Sequence, residues 1–258
     1  MKVNIEDVKN YWENNPLCST IIPYPIGQKE YFIYYDKLRE DIESEEDSYE
    51  IHEYKHFSGK KVLDVGCGNG YVLERFAREK ADVYGIDITP MSIKLCNQRF
   101  DFKGIKGDFR VANAEEIPFP DNYFDCVTSM GVLHHVPDTQ KAVDEIFRVL
   151  KPGGRLIVMF YHRNSALYRI SFWLRSLFEN KTRQQMVNEF DGIGNPKGWV
   201  YSKNELGLLL HKFKNLKMWA GYLTGSMVLP RGGRFLPNSL LKPFEKIGGW
   251  NLYAKGNK

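Results

Sequence analysis

Between Lys61 and Tyr161 the apolar residues fall into two alternating patterns. KVLDV (61–65), DVYGID (82–87), FRVAN (109–113), FDCVTS (124–129) and RLIVMFY (155–161) are short apolar runs rich in β-branched or aromatic residues. Such runs predict strands covered on both faces. The stretches between them, YVLERFAREK, TPMSIKLCNQRF and TQKAVDEIFRVLK, place their apolar residues at helical spacing. Strand, helix and strand in this succession call for right-handed crossovers, so residues 58–160 are expected to form a doubly wound, mainly parallel α/β sheet. Lys151-Pro152-Gly153-Gly154 is expected to stop the last helix and turn the chain into the fifth strand.

Three segments flank this core. Residues 1–57 read as an N-terminal cap containing Tyr11, Trp12, Tyr24, Tyr31, Phe32, Tyr34 and Tyr35, followed by an acidic stretch from Glu40 to Glu53 read as a solvated face. Residues 161–201 read as an insertion after the fifth strand, opening with an Arg-rich amphipathic helix, SALYRISFWLRSLF, and ending in the turn-rich GIGNPKG. In residues 202–258, Ser202 and Glu205 form a capping box predicting a helix to about Lys212. LKMWAGY and WNLYAK then supply the last two of seven expected strands.

Composition changes this picture in two places. Hydrophobic residues at 43% and charged residues at 26% are ordinary for a folded globular chain and exclude collagen, coiled coil and disorder, whereas 14% aromatic is high. The net charge of +4 conceals a split, because residues 1–161 carry −7 and residues 162–258 carry +11. The two halves therefore face different partners. Cys18, Cys67, Cys96 and Cys126 are dispersed without a C-x-x-C pair, which suggests neither a metal site nor a disulfide framework and fits a reducing, cytoplasmic location. No apolar run approaches the roughly 20 residues of a membrane span.

The chemistry is concentrated where the first strand meets its helix, in Asp64-Val65-Gly66-Cys67-Gly68-Asn69-Gly70. Glycines there let a ligand approach the backbone, and the following helix offers free N–H groups. A dinucleotide fingerprint would need glycine at position 71, which is Tyr71, and a Walker lysine is missing. Asp87, ending the second strand, can accept from both hydroxyls of a ribose.

With VLDVGCGNG, YGIDIT, ANAEEIPFPDNYFD, VLHHVPD and VLKPGG in order across about residues 60–160, the chain resembles the class I S-adenosylmethionine-dependent methyltransferases. The resemblance implies a seven-stranded Rossmann-like sheet and S-adenosyl-L-methionine as cofactor, released as S-adenosyl-L-homocysteine. It also implies roles. Gly66, Cys67, Gly68 and Gly70 would form the cradle for the methionine moiety, and Asp64 would orient its ammonium. Asp87 would hold the ribose hydroxyls, with Ile88 packed on the adenine and Asn113 and Ala114 along its edge. Asn113 stands where the family more commonly has Asp. Ser129 and Met130 would turn backbone carbonyls toward the ammonium, and Tyr11 and Trp12 would close over the pocket.

Methyl transfer rests mainly on holding donor and acceptor in line. Where a proton must leave the acceptor, His134, His135 and His162 are the candidate bases, since each follows a strand at the sheet edge where open α/β folds bind ligands. A small-molecule acceptor is expected, O- or N-methylated in secondary or specialised metabolism. The +11 half favours one that is anionic or carrier-bound. A quinone or lipid acceptor, RNA, and a non-catalytic cofactor-binding scaffold are the alternatives. RNA has no binding module behind it, and the helix carrying Phe172, Trp173 and Leu174 could instead make peripheral membrane contact.

Overall fold

The computed structural model describes residues 3–229 and 232–258. Three helices precede the sheet: α1 (Ile5–Asn14), α2 (Lys29–Ile42) and α3 (Glu45–His52). The core then alternates β1 (Lys61–Val65), α4 (Tyr71–Arg78), β2 (Asp82–Asp87), α5 (Pro90–Lys103), β3 (Asp108–Val111), β4 (Phe124–Met130), α6 (Thr139–Val149) and β5 (Leu150–His162). Beyond it lie α7 (Phe172–Ser176), α8 (Arg183–Asn188), β6 (Val200–Tyr201), α9 (Lys203–Leu209), β7 (Lys214–Gly221), α10 (Gly225–Val228), α11 (Asn238–Leu241), α12 (Glu245–Gly248) and β8 (Asn251–Asn257).

The strands run β3-β2-β1-β4-β5-β8-β7, with parallel pairing through β5 and an antiparallel β8 between β5 and β7. This is the expected doubly wound sheet with one addition. The two-residue β6 pairs in parallel with the end of β5, Tyr161 opposite Val200, and makes an eighth strand. Local chemistry sets the helix starts that matter here. Thr89 caps α5 by accepting from Ser92 N–H at 3.3 Å ahead of Pro90, and Asp138 caps α6 by accepting from Lys141 N–H at 3.0 Å. The capping box at Ser202 and Glu205 is present.

Two apolar cores cover the two faces of the sheet. Leu63, Val65, Val127, Ile146 and Phe160 belong to one, and Tyr31, Tyr54, Val62, Phe76 and Cys126 to the other. Successive strand residues point to opposite faces, so the neighbours Val62 and Leu63 enter different cores. Tyr31, Phe32 and Tyr35 of α2 are packing residues, all buried.

Three expectations are corrected. The acidic stretch is not simply a solvated face, since Glu43 is buried 3.5 Å from His52, and Glu53 bonds Arg155 at 2.7 Å and Lys255 at 2.9 Å. Burial opposes ionisation of Glu43, but its contacts with His52 and Arg39 prevail and hold its carboxyl at about 2. The 165–178 segment is not one regular helix, because Leu167–Ser171 form a wide π-type turn before the short α7. Finally, α9 ends at Leu209, short of Lys212.

Candidate active site

The turn from β1 into α4 carries three glycines in the left-handed region: Gly66 at φ 78°, Gly68 at φ 53° and Gly70 at φ 80°. They serve different ends. A Cβ on Gly66 would stand 2.3 Å from Val132 Cγ2, so this glycine lets the loop touch the segment after β4. A Cβ on Gly70 would meet Cys96 Sγ at 2.7 Å, so that position packs α4 on α5 and does not face the cleft. Gly68 alone would meet nothing within 4 Å, which leaves the loop open there. The Cys67 thiol is buried against Cys96 and pushed well up, as an inert packing group would be.

Two carboxylates flank this opening. Asp64 is buried, and its Oδ1 has no partner. Burial and the neighbouring Asp87 push its carboxyl up to about 8, against the opposing charge of Arg39. Asp87 accepts from Gly68 N–H at 3.1 Å, Thr89 N–H at 3.0 Å and Thr89 Oγ1–H at 2.8 Å, using three of roughly four acceptor positions. It therefore pins the loop as well as facing the cleft. An orphaned buried carboxylate oxygen beside a loop with room outside it fits a cationic ligand such as S-adenosylmethionine. Asn113 Oδ1 accepts from Glu115 N–H at 3.0 Å, Ala114 is buried in the first core and Ile88 is half-buried. Ser129 donates its hydroxyl to the Val65 carbonyl at 2.8 Å, tying β4 to β1 beside Met130.

The three histidines separate. Tyr161 and His162 are neighbours on β5 and so point to opposite sides of the sheet. The Tyr161 ring lies 3.8 Å from that of His134 and 5.8 Å from that of His135 between centroids, while His162 bonds the Gly249 carbonyl at 3.0 Å through Nδ1. His162 is thus a buried anchor, its pKa lowered by burial, and is not brought to the other two. His134 is also buried, both ring nitrogens lack a partner, and burial holds its pKa well down. His135 differs. Its Nδ1 hydrogen bonds to the Lys197 carbonyl, and its Nε2 lies 3.2 Å from Asp191 Oδ2.

Asp191, Tyr161 and Asn195 escaped the sequence reading. Asp191 accepts from the Tyr161 hydroxyl, and Tyr11 donates to its backbone carbonyl at 3.5 Å. Asn195 Nδ2 approaches His135 Nδ1 at 3.5 Å. Trp199 N–H donates to the His134 carbonyl at 3.2 Å, fastening the 189–199 segment to the histidine turn. The only signal in sequence was the turn chemistry of GIGNP after an acid. His134, His135 and Asp191 also bring three donor atoms within 4.8 Å of one another, a set able to take a metal ion where dispersed cysteines suggested none.

One helix joins the two halves of the site. In α1, Trp12 meets the His135 ring edge-on at 5.2 Å, and Glu13 Oε2 accepts from Met91 N–H at 3.0 Å, just past Asp87 and Thr89. Thus α1 reaches from the His135–Asp191 pair, which Trp12 and Tyr11 touch, to the start of α5 just past Asp87, which Glu13 touches.

Comparison with known proteins agrees. The family model described as a methyltransferase domain matches residues 63–158. The ubiquinone/menaquinone biosynthesis C-methyltransferase UbiE of Vibrio cholerae is 42% identical over 110 residues, 41% of this chain and 42% of that protein. The enzyme of the same name from Edwardsiella ictaluri is 43% identical over 110 residues, 41% of this chain and 44% of its own. The chain thus matches less than half the length of these relatives. Among solved structures, a Haloferax volcanii putative methyltransferase complexed with the Trm112 activator superposes with TM-score 0.59 at 19% identity, covering 87% of this chain and 93% of that one. A SAM-dependent methyltransferase from Aquifex aeolicus gives 0.55 at 19% identity, over 87% and 97%. These two likenesses show the fold.

Proposed function

We propose that this protein, whose residues 63–158 match the methyltransferase-domain family model, transfers a methyl group from S-adenosylmethionine to a hydroxylated aromatic ring of the quinol type, with His135 and Asp191 together taking the proton that leaves the acceptor. The observation that carries this reading is the 3.2 Å contact between His135 Nε2 and Asp191 Oδ2 in an aromatic surround of Trp12, Tyr11 and Tyr161.

When bound, S-adenosylmethionine supplies an electrophilic methyl group. The protein's own residues do the rest. The Lys197 carbonyl fixes the His135 tautomer with hydrogen on Nδ1, so without a further proton the Nε2 lone pair faces a carboxylate. A proton taken from an acceptor hydroxyl closes that contact. Tyr161 holds the Asp191 carboxylate in place, and an aromatic oxyanion generated there can accept a methyl group on oxygen, or on a ring carbon whose own proton then leaves as the hydroxyl is restored. The UbiE relatives are named as quinone-biosynthesis C-methyltransferases, which favours carbon.

The test is incubation of the purified protein with S-adenosylmethionine and a panel of reduced naphthoquinols and simple phenols, with mass spectrometry for gain of one methylene. His135→Gln and Asp191→Asn should each lower turnover about 100-fold with cofactor affinity unchanged. Tight cofactor binding with no acceptor methylated would instead assign the protein a scaffold role. Chelator treatment should leave turnover unchanged. A loss restored by a divalent ion would place a metal on His134, His135 and Asp191 in place of the shared proton. A second reading, an acceptor or carrier bearing carboxylate or phosphate, draws on the +11 charge of residues 162–258. It requires kcat/KM to fall with ionic strength, whereas a neutral quinol gives a flat response.

A further inference from the structure

Large apolar side chains are exposed very unevenly along this chain. Among the described residues, 58–160 expose two, Phe102 and Val111, whereas 161–258 expose fourteen. Scattered single exposures are ordinary, but a concentration of this size on one part of a molecule marks a surface that something covers.

Six of them come from two segments. Trp173, Leu177 and Phe178 lie in and just after α7, and Leu240, Phe244 and Ile247 lie in α11, the tight turn Lys242–Phe244 and α12. The inner sides of these segments share one small core, in which Leu167, Phe172, Leu223, Met227 and Trp250 are buried and Leu241 packs against them. Gly248 lies against Ala166, so the segments also meet each other. The outward side chains therefore form one side of the molecule. Trp250 in turn stacks on Tyr161 at 4.5 Å, which places this small core between that side and the His135–Asp191 pair.

Charge decides what covers it. Residues 162–258 contain 16 Lys+Arg and five Asp+Glu. All five acids are engaged: Glu179 with Arg175, Glu189 with Lys181, Asp191 with His135, Glu205 with Arg163, and Glu245 with the Tyr222 N–H. Lys242, Lys246 and Arg169 lie in the same segments as the exposed apolar residues and form no ion pair among the described residues. Apolar tips interleaved with unpaired cations, with residues 162–258 contributing no free carboxylate, match the surface of an anionic bilayer, where apolar side chains enter the headgroup boundary and cations stay with the phosphates.

We infer that the face formed by α7 and α11–α12 docks reversibly on an anionic lipid bilayer. It deepens the quinol reading, since a lipid-borne acceptor would then lie on the docked side, but the assay below contains neither cofactor nor acceptor and so succeeds or fails separately.

The full chain should float with vesicles of equal parts phosphatidylglycerol and phosphatidylcholine at least about tenfold better than with phosphatidylcholine alone, and less well as salt rises. The double variant Phe178→Ser/Ile247→Ser should lose at least about tenfold of that partition while its Tm stays put, because both side chains are largely exposed. Equal binding to both vesicles, or a double variant that floats like the parent, overturns the inference. So does a dimer in sedimentation that the same two substitutions dissociate, which would give the face to a second copy of the chain.

Discussion

Asp64 of β1 and Asp87 of β2 stand on adjacent strands, and burial raises both carboxyls, but their partners differ. Asp87 has three donors, whereas Asp64 Oδ1 has none, and the latter's carboxyl is raised to about 8. A carboxyl whose pKa is higher folded than unfolded stabilises the fold fully below its unfolded value. That contribution declines as pH rises from about 4 to about 8 and is then gone. Cofactor binding should reverse the preference, because an ammonium beside Asp64 favours its ionised form. Titration at pH 7 in buffers of different ionisation enthalpy should therefore detect proton release, and affinity should rise from pH 6 to 8. Asp64→Asn should abolish both effects. The loop residues were legible because a backbone turned toward a ligand needs glycine, which leaves a mark in sequence. The His135–Asp191 pair was only half legible, because Asp191 reaches its partner through a fold that brings residues 56 apart together and no local spacing encodes that.

At the scale of elements, the glycine loop is held from both sides. Arg99 of α5, fully buried, donates through Nε to the Asn69 carbonyl at 2.8 Å and pairs through Nη1 with Glu74 of α4 and Asp36 of α2, each at 2.7 Å. Removing one partner of a buried pair strands the other, so Arg99→Leu should cost about 3–5 kcal/mol in denaturant unfolding. On the other side, Gly66→Ala combines a left-handed φ with a 2.3 Å clash against Val132. It should lower stability by more than about 2 kcal/mol, and Val132→Ala in the same chain should recover part of the loss. Gly68→Ala meets no neighbour and should cost only about 1 kcal/mol of backbone strain while weakening cofactor binding severely, a contrast that thermal unfolding and titration together would show. Strands β1 and β2 were legible to the residue because their central positions are covered on both faces and so form short apolar runs. The segment after β5 was not, since Leu167 and Phe172 face a small core while Ile170 and Trp173 face outward, so its apolar pattern marks no helix end.

For the molecule as a whole, α1, unlike α2 and α3, is joined to the rest mainly by contacts at the site. Val8 is the only buried residue of α1, whereas Trp12 and Glu13 reach His135 and Met91. Removing residues 1–15 should accordingly lower Tm by only a few degrees but speed cofactor release at least about tenfold, measured by stopped-flow displacement.

The placement of β8 has a bearing on how the protein is made. This strand fills the sheet between β5 and β7, with Arg155 opposite Asn257 and Phe160 opposite Leu252. Translation delivers β5 long before its neighbour exists. During that interval the backbone groups along one side of β5 are open to any strand that happens by, beside a half-covered aromatic cluster. A nascent chain arrested before Asn251 should therefore be protease-sensitive and bound by holding chaperones, and should close into a resistant form only when the segment to Asn257 has cleared the ribosomal tunnel.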